Sequence, residues 1–180
     1  MKRRHSFPIR KQKQIYKGRA VKLEIQWIES PHGQLLKREI IRHGGSAVIV
    51  PVLKDKRLVL VRQHRPATDG YLLEFPAGTL EKGELPRQCA QRELQEEIGH
   101  KAGRLHRLCQ VYPAPGVSTE LMHLFLATDL QPSNFHQPDD DEFLEIVIMS
   151  KQKLKTLIEK RKIRDAKTIV GFHYALPYLS

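Results

Sequence analysis

Residues 85–98 form the one strongly helical stretch of the first hundred residues, and strand-like runs lie on both sides of it. Pro86 falls at the first turn, where its missing N–H does no harm, and Gly99 follows as a C-terminal stop. Ala90, Leu94 and Ile98 recur at helical spacing and form a stripe suited to packing on a sheet. One such helix among many strands indicates a mixed α/β domain.

The strands are readable on both flanks. Val21, Leu23, Ile25 and Trp27 alternate with polar residues, as half-buried strands do. Ser30-Pro31-His32-Gly33 reads as a turn, and another strand begins at Leu35. Ser46 to Leu53 and Arg57 to Arg62 are β-branched runs joined by Lys54-Asp55-Lys56, which predicts a hairpin. Tyr71 to Phe75, Leu105 to Val111, Leu121 to Ala127 and Phe143 to Met149 complete the strands, and helices are expected over Lys151–Arg161 and Asp165–Leu176. A long polar, acidic loop is expected over Asp129–Asp141. The resulting division is a basic arm over 1–13, an antiparallel β segment over 14–44 and a main domain over 45–180.

Composition narrows the class. A chain of 180 residues, 40% hydrophobic and 28% charged, suits one soluble globular domain. Its longest apolar run, Ala47 to Val50, is far short of the ~20 residues a membrane span needs. The two cysteines, Cys89 and Cys109, stand in no paired motif, which excludes a disulfide scaffold or a cysteine zinc site and suits a reducing cytoplasm. The net charge of +11 is local: nine of the basic residues, from Lys2 to Lys22, lie where there is no acidic one. That arm reads as a solvated terminus, with contact to nucleic acid or an anionic surface as its functional alternative. No apolar stretch follows it, so it is not a secretory signal.

The chemistry concentrates on the helix. Glu93, Glu96 and Glu97 stand at i, i+3 and i+4 and share one side of it. Arg92 relieves part of their repulsion, and a divalent cation relieves it better; hard oxygen ligands favour Mg²⁺, with Mn²⁺ as the substitute. An isolated Arg-Glu-x-x-Glu-Glu would be a solvated, salt-bridged helix face. Here Gly78, Glu84, Arg92, Glu93, Glu96, Glu97 and Gly99 carry the identities and spacing of the Nudix box, with Leu94 at its apolar position. The chain therefore resembles a Nudix hydrolase. One position departs: His100 stands where the box usually ends on an apolar residue.

The resemblance implies an α/β/α sandwich with a mixed sheet, and a metal-dependent pyrophosphohydrolase acting on a nucleoside diphosphate linked to another group. Glu93, Glu96 and Glu97 would hold Mg²⁺, with Glu84 near the metal and Arg92 orienting the carboxylates. Leu73-Glu74-Phe75-Pro76-Ala77-Gly78 runs into the box, and Pro115 lies 15 residues beyond its last residue. Both features are similar to the ADP-ribose pyrophosphatase group and its relatives that cleave other nucleoside diphosphate sugars. That similarity, from about Gln14 to Leu176, implies a metal contact from the Ala77 carbonyl. It also implies substrate contacts from Arg38, Arg65 and Glu120, and a homodimer built on the N-terminal strands. The usual base-stacking aromatic has no counterpart in Lys17-Gly18-Arg19-Ala20, so adenine and guanine stay open.

ADP-ribose is the first substrate expected and GDP-mannose the second. The alternatives are a dinucleoside polyphosphate or capped-RNA hydrolase, and a non-catalytic nucleotide-binding regulator. Carboxylates committed to metal accept protons poorly, so a separate general base is expected before Phe143. The choice lies among Asp139, Asp140, Asp141 and Glu142; Glu142 is favoured for reach, and Glu145 less so because it sits within a strand.

Overall fold

A computed structural model describes residues 7–18, 21–133 and 144–179. It divides into two compact units, one running up to Gly44 and joined by Ala114–Glu120, the other holding Gly45–Pro113 and the chain from Leu121 onward.

The first unit is an antiparallel sheet of three strands in the order β1 (Ile9–Lys17), β2 (Lys22–Glu29) and β3 (Leu35–Arg42). Strand structure begins at Ile9, so residues 9–13 are not part of a free arm as expected; Lys11 and Lys13 pair with Trp27 and Ile25. Their charge hid the pattern, because β1 is an exposed edge and lysines suit such an edge. Segment 114–120 is stitched to the end of β3: Ile41 N–H donates to Val117 O at 2.7 Å, and Thr119 N–H to Ile41 O at 3.0 Å.

The second unit holds a mixed sheet and an antiparallel one. In the mixed sheet the order is β7 (Ala77–Thr79), β4 (Ser46–Pro51), β9 (Met122–Pro132), β8 (His100–Val111), with β4 and β9 parallel and the other pairs antiparallel. The other sheet is β10 (Leu144–Met149), β5 (Leu58–Arg65), β6 (Gly70–Glu74). The hairpin predicted across residues 54–56 does not form a ladder: β4 and β5 enter different sheets, and only Val52 and Leu58 bridge. Every residue of β4 is buried, so it needs partners on both edges and cover on both faces. A hairpin with β5 would have supplied one edge only.

Alternation along β4 sorts two cores. Ala47 and Ile49 pack with Cys89, Ala90, Leu94 and Ile98 of helix α1 (Pro86–Ile98). Val48 and Val50 pack with Leu154 of α2 (Lys151–Glu159) and Phe172 and Ala175 of α3 (Ala166–Ala175). Helices therefore cover both faces of a mixed sheet, the α/β/α sandwich expected. Each helix is capped by sequence: Gly99 ends α1 at φ 67°, Ser150 Oγ accepts from Lys153 N–H, and Asp165 Oδ2 accepts from Thr168 N–H. Strand β9 runs to Pro132, so residues 129–132 are strand rather than loop.

Candidate active site

The geometry centres on Arg92. Helix α1 turns Glu93 and Glu97 toward the sheet, at 7% and 2% exposure, while Arg92 and Glu96 lie on its half-buried flank. The Arg92 guanidinium reaches three carboxylates: Glu84 Oε1 from Nε at 2.9 Å, Glu93 Oε1 from Nη1 at 2.6 Å and Glu96 Oε2 from Nη1 at 2.8 Å. It also donates to Thr79 O at 3.1 Å, which fixes it to the end of β7. Glu84 is placed by the loop before α1, where its Oε2 accepts from Glu81 N–H at 2.9 Å. Glu97 Oε1 faces Ala77 N–H at 3.4 Å, so the helix and the Ala77–Gly78 strand share one corner.

Electrostatics follow from that crowd. Hydrogen bonds to Glu84, with the charges of Glu93 and Glu96 behind them, hold Arg92 protonated well above its already high ordinary value. The same contact holds Glu84 below the usual carboxylate range. Burial, then the charges of Glu93 and Glu84, push the Cys89 thiol up to about 12, which leaves it protonated and poorly nucleophilic.

Among the described residues no three acidic, imidazole or thiol groups stand ready around one point as metal ligands. Arg92 draws Glu84, Glu93 and Glu96 onto itself, so a cation has to compete with it. Two observations fit a divalent cation here. The donors are hard carboxylate oxygens, four against a single guanidinium. And a Cβ on Gly78 would stand 1.7 Å from Glu93 Oε1, so only a glycine there lets the Glu93 carboxylate lie against the strand beside Ala77.

The family model described as NUDIX domain matches residues 43–170. This chain belongs to the Nudix family of hydrolases. Members of the family work with divalent metal ions. The chain is 36% identical over 167 residues to the ADP-ribose pyrophosphatase of Bacillus subtilis, covering 92% of this chain and 88% of that one. It is 36% identical over 165 residues to the methanol dehydrogenase activator of Bacillus methanolicus, covering 91% and 89%. A GDP-mannose pyrophosphatase of Escherichia coli is 35% identical over 147 residues, covering 77% and 76%. The solved structure of an ADP compounds hydrolase superposes with a TM-score of 0.83 at 26% identity, over 99% of this chain and 97% of that one.

The other residues singled out by sequence fall in three places. Arg65, at the end of β5, lies in the same unit as the box, gripped by Glu74 through Nε at 3.0 Å and Nη2 at 2.7 Å. Arg38 on β3 and Glu120 on the stitched segment belong together in the N-terminal unit, although 82 residues separate them in sequence. Asp139, Asp140, Asp141 and Glu142 lie outside the described residues. Glu145 is an exposed residue of β10, its Oε2 3.2 Å from Arg62 Nη1.

One group escaped the sequence reading. Glu74, 1% exposed, meets Lys167 as well as Arg65, and Lys167 Nζ also lies 3.0 Å from Asp165 Oδ1. Thr168 Oγ1 donates to Asp165 Oδ2 at 2.6 Å and accepts from Phe75 N–H at 2.8 Å. Burial alone would raise the Glu74 carboxyl, but the Arg65 hydrogen bonds and the Lys167 charge bring it below its ordinary range. Asp165 followed by Thr168 was visible as a helix cap. Nothing local to Lys167 announces a partner 93 residues away.

Proposed function

We propose that this Nudix hydrolase cleaves the pyrophosphate link of a nucleoside diphosphate sugar, releasing a nucleoside monophosphate and a sugar phosphate. ADP-ribose is the first substrate and GDP-mannose the second. The observation that carries the reading is the ring of Glu84, Glu93 and Glu96 around Arg92, with Glu97 against Ala77. This is far more negative charge than one arginine balances. The names of the B. subtilis and E. coli relatives support the substrate class.

Glu84, Glu93, Glu96 and Glu97, with the carbonyl of Ala77, are the residues that would hold Mg²⁺, or Mn²⁺ in its place. When bound, the cation neutralises charge on the pyrophosphate and acidifies water. Arg92 orients the carboxylates and supplies their counter-charge. Arg65 presents its unoccupied edge to a phosphate, and Arg38 and Glu120 supply substrate contacts from the N-terminal unit. Glu142 takes the proton of the attacking water; Asp139, Asp140 and Asp141 are its competitors for that role. Water is the nucleophile, and the Cys89 thiol, held protonated, takes no part.

We place the enzyme in the cytoplasm, which suits two free cysteines, Cys89 and Cys109. No described helix is long and apolar enough to cross a membrane. The N-terminal strands from Gln14 to Ile41 make it a homodimer, a reading supported by the sheet edge of β1, which exposes Ile15 and Tyr16. A fully active 20.8 kDa monomer in sedimentation would refute the dimer.

The B. methanolicus relative is named an activator, which favours a second reading, a non-catalytic nucleotide-binding regulator. The intact carboxylate set argues against it, because binding alone has no need of that cluster. The basic N-terminal sequence favours a third, a dinucleoside polyphosphate or capped-RNA hydrolase. A panel of nucleotide sugars, dinucleoside polyphosphates and capped RNA, read by product release with Mg²⁺, separates the three. ADP-ribose or GDP-mannose should give the highest kcat/KM, and a preference for another class would overturn the proposal.

A further inference from the structure

A guanidinium presents two flat forks, one from Nε and an Nη, the other from its two Nη groups. Glu74 fills the first fork of Arg65. Among the described residues no hydrogen bond engages Nη1, and the side chain is 38% exposed, so the second fork keeps donors for a further partner. Fork recognition of phosphate is planar and directional, so its strength depends on what fixes the guanidinium plane.

That plane is fixed from behind. Glu74 lies 2% exposed beneath Arg65, and Lys167, 10% exposed, meets the same Oε2 that Arg65 Nη2 uses. Lys167 is held in turn by Asp165, the cap of α3. Glu74 leads directly into Phe75, whose N–H is tied to Thr168 on the same helix. Two more residues reach Ala77, beside Glu97. The first turn of α3 thus grips the strand end that carries the Arg65 partner and approaches the carboxylates.

We propose that Lys167 is a positioning residue: through Glu74 it sets the orientation of the free Arg65 fork for the substrate pyrophosphate. This deepens the function proposed above and rests on it. Lys167 does not touch substrate. Its loss leaves Glu74 paired to Arg65 but free to swing, so ground-state and transition-state binding weaken together. Such a loss raises KM and leaves kcat nearly unchanged.

The test is a double-mutant cycle of Lys167→Met and Arg65→Lys, with ADP-ribose and GDP-mannose as probes in saturating Mg²⁺. Lys167→Met should raise KM at least about fivefold with kcat within about twofold of wild type. Added to Arg65→Lys, it should raise KM no further than about twofold. Additive effects, or a fall in kcat with KM unchanged, would overturn the proposal. If Lys167→Met does not fold by circular dichroism, Lys167→Gln takes its place under the same criteria. A wild type that hydrolyses neither probe removes the substrate reading instead. Positioning is then decided by nitrogen-15 NMR of the Arg65 Nε–H: a single sharp resonance that shifts or broadens in the Lys167 variant supports it, and an unchanged one overturns it.

Discussion

Two arginines of this chain sit among carboxylates, and their surroundings differ in charge. Around Arg92 stand Glu84, Glu93 and Glu96, with Glu97 close by on the same helix. Around Arg65 the network is balanced: Glu74 and Asp165 face Arg65 and Lys167. A balanced buried network holds shape, because each charge has its partner within the protein. An excess of carboxylate costs stability, and a cation bound from outside relieves that cost. On the function proposed above, the first region serves metal and the second serves position.

Breaking the first region should have the larger effect on chemistry. Glu97→Gln keeps the shape and removes a charged ligand, so kcat should fall by roughly 10²-fold or more while the melting temperature holds. Retained turnover with Mg²⁺ present would remove the carboxylates from the mechanism. Gly78→Ala tests the same corner without touching a charge. The new Cβ would displace the Glu93 carboxylate, whose Oε1 lies 1.7 Å from its position. Mn²⁺ affinity should drop by roughly 10- to 100-fold, measured by calorimetry. In the acidic segment, Glu142→Gln should lower kcat at least about tenfold, and single amide changes at 139, 140 and 141 should do less. If none of the four reaches tenfold, the base is elsewhere.

The second region should show itself in stability. Glu74→Gln leaves two cations against one carboxylate in a buried place and should cost about 3–5 kcal/mol in urea unfolding. Acid gives the same result more gently. The folded carboxyl titrates below its ordinary 4.5, so its contribution is complete above that pH and is lost as pH falls through the lower, folded value. Stability of the wild type should therefore decline more steeply below about pH 4.5 than that of Glu74→Gln. Equal slopes would show that the network is not the acid-sensitive element.

The sequence exposes the two regions unequally, for a physical reason. The box lies on one loop and one helix, where i, i+3 and i+4 spacing and the Pro86 and Gly99 caps are local signals. Glu74 and Lys167 meet only because β6 and α3 pack, and no local pattern encodes that meeting. Strand partners were hidden in the same way. The runs at 46–53 and 57–62 look like a hairpin by their turn, yet burial on both faces sends β4 to β7 and β9. At the N-terminus the failure was opposite, since lysines that mark an edge strand read as a solvated arm.

The most direct measurement is a Mn²⁺ titration followed by electron paramagnetic resonance, on wild type and on Glu93→Gln/Glu97→Gln. A divalent site on α1 predicts saturable Mn²⁺ binding by the wild type that Mg²⁺ displaces, and loss of that binding in the double variant with the fold intact. Equal Mn²⁺ binding by the two proteins, or none by the wild type, would contradict the assignment of the carboxylate cluster to metal.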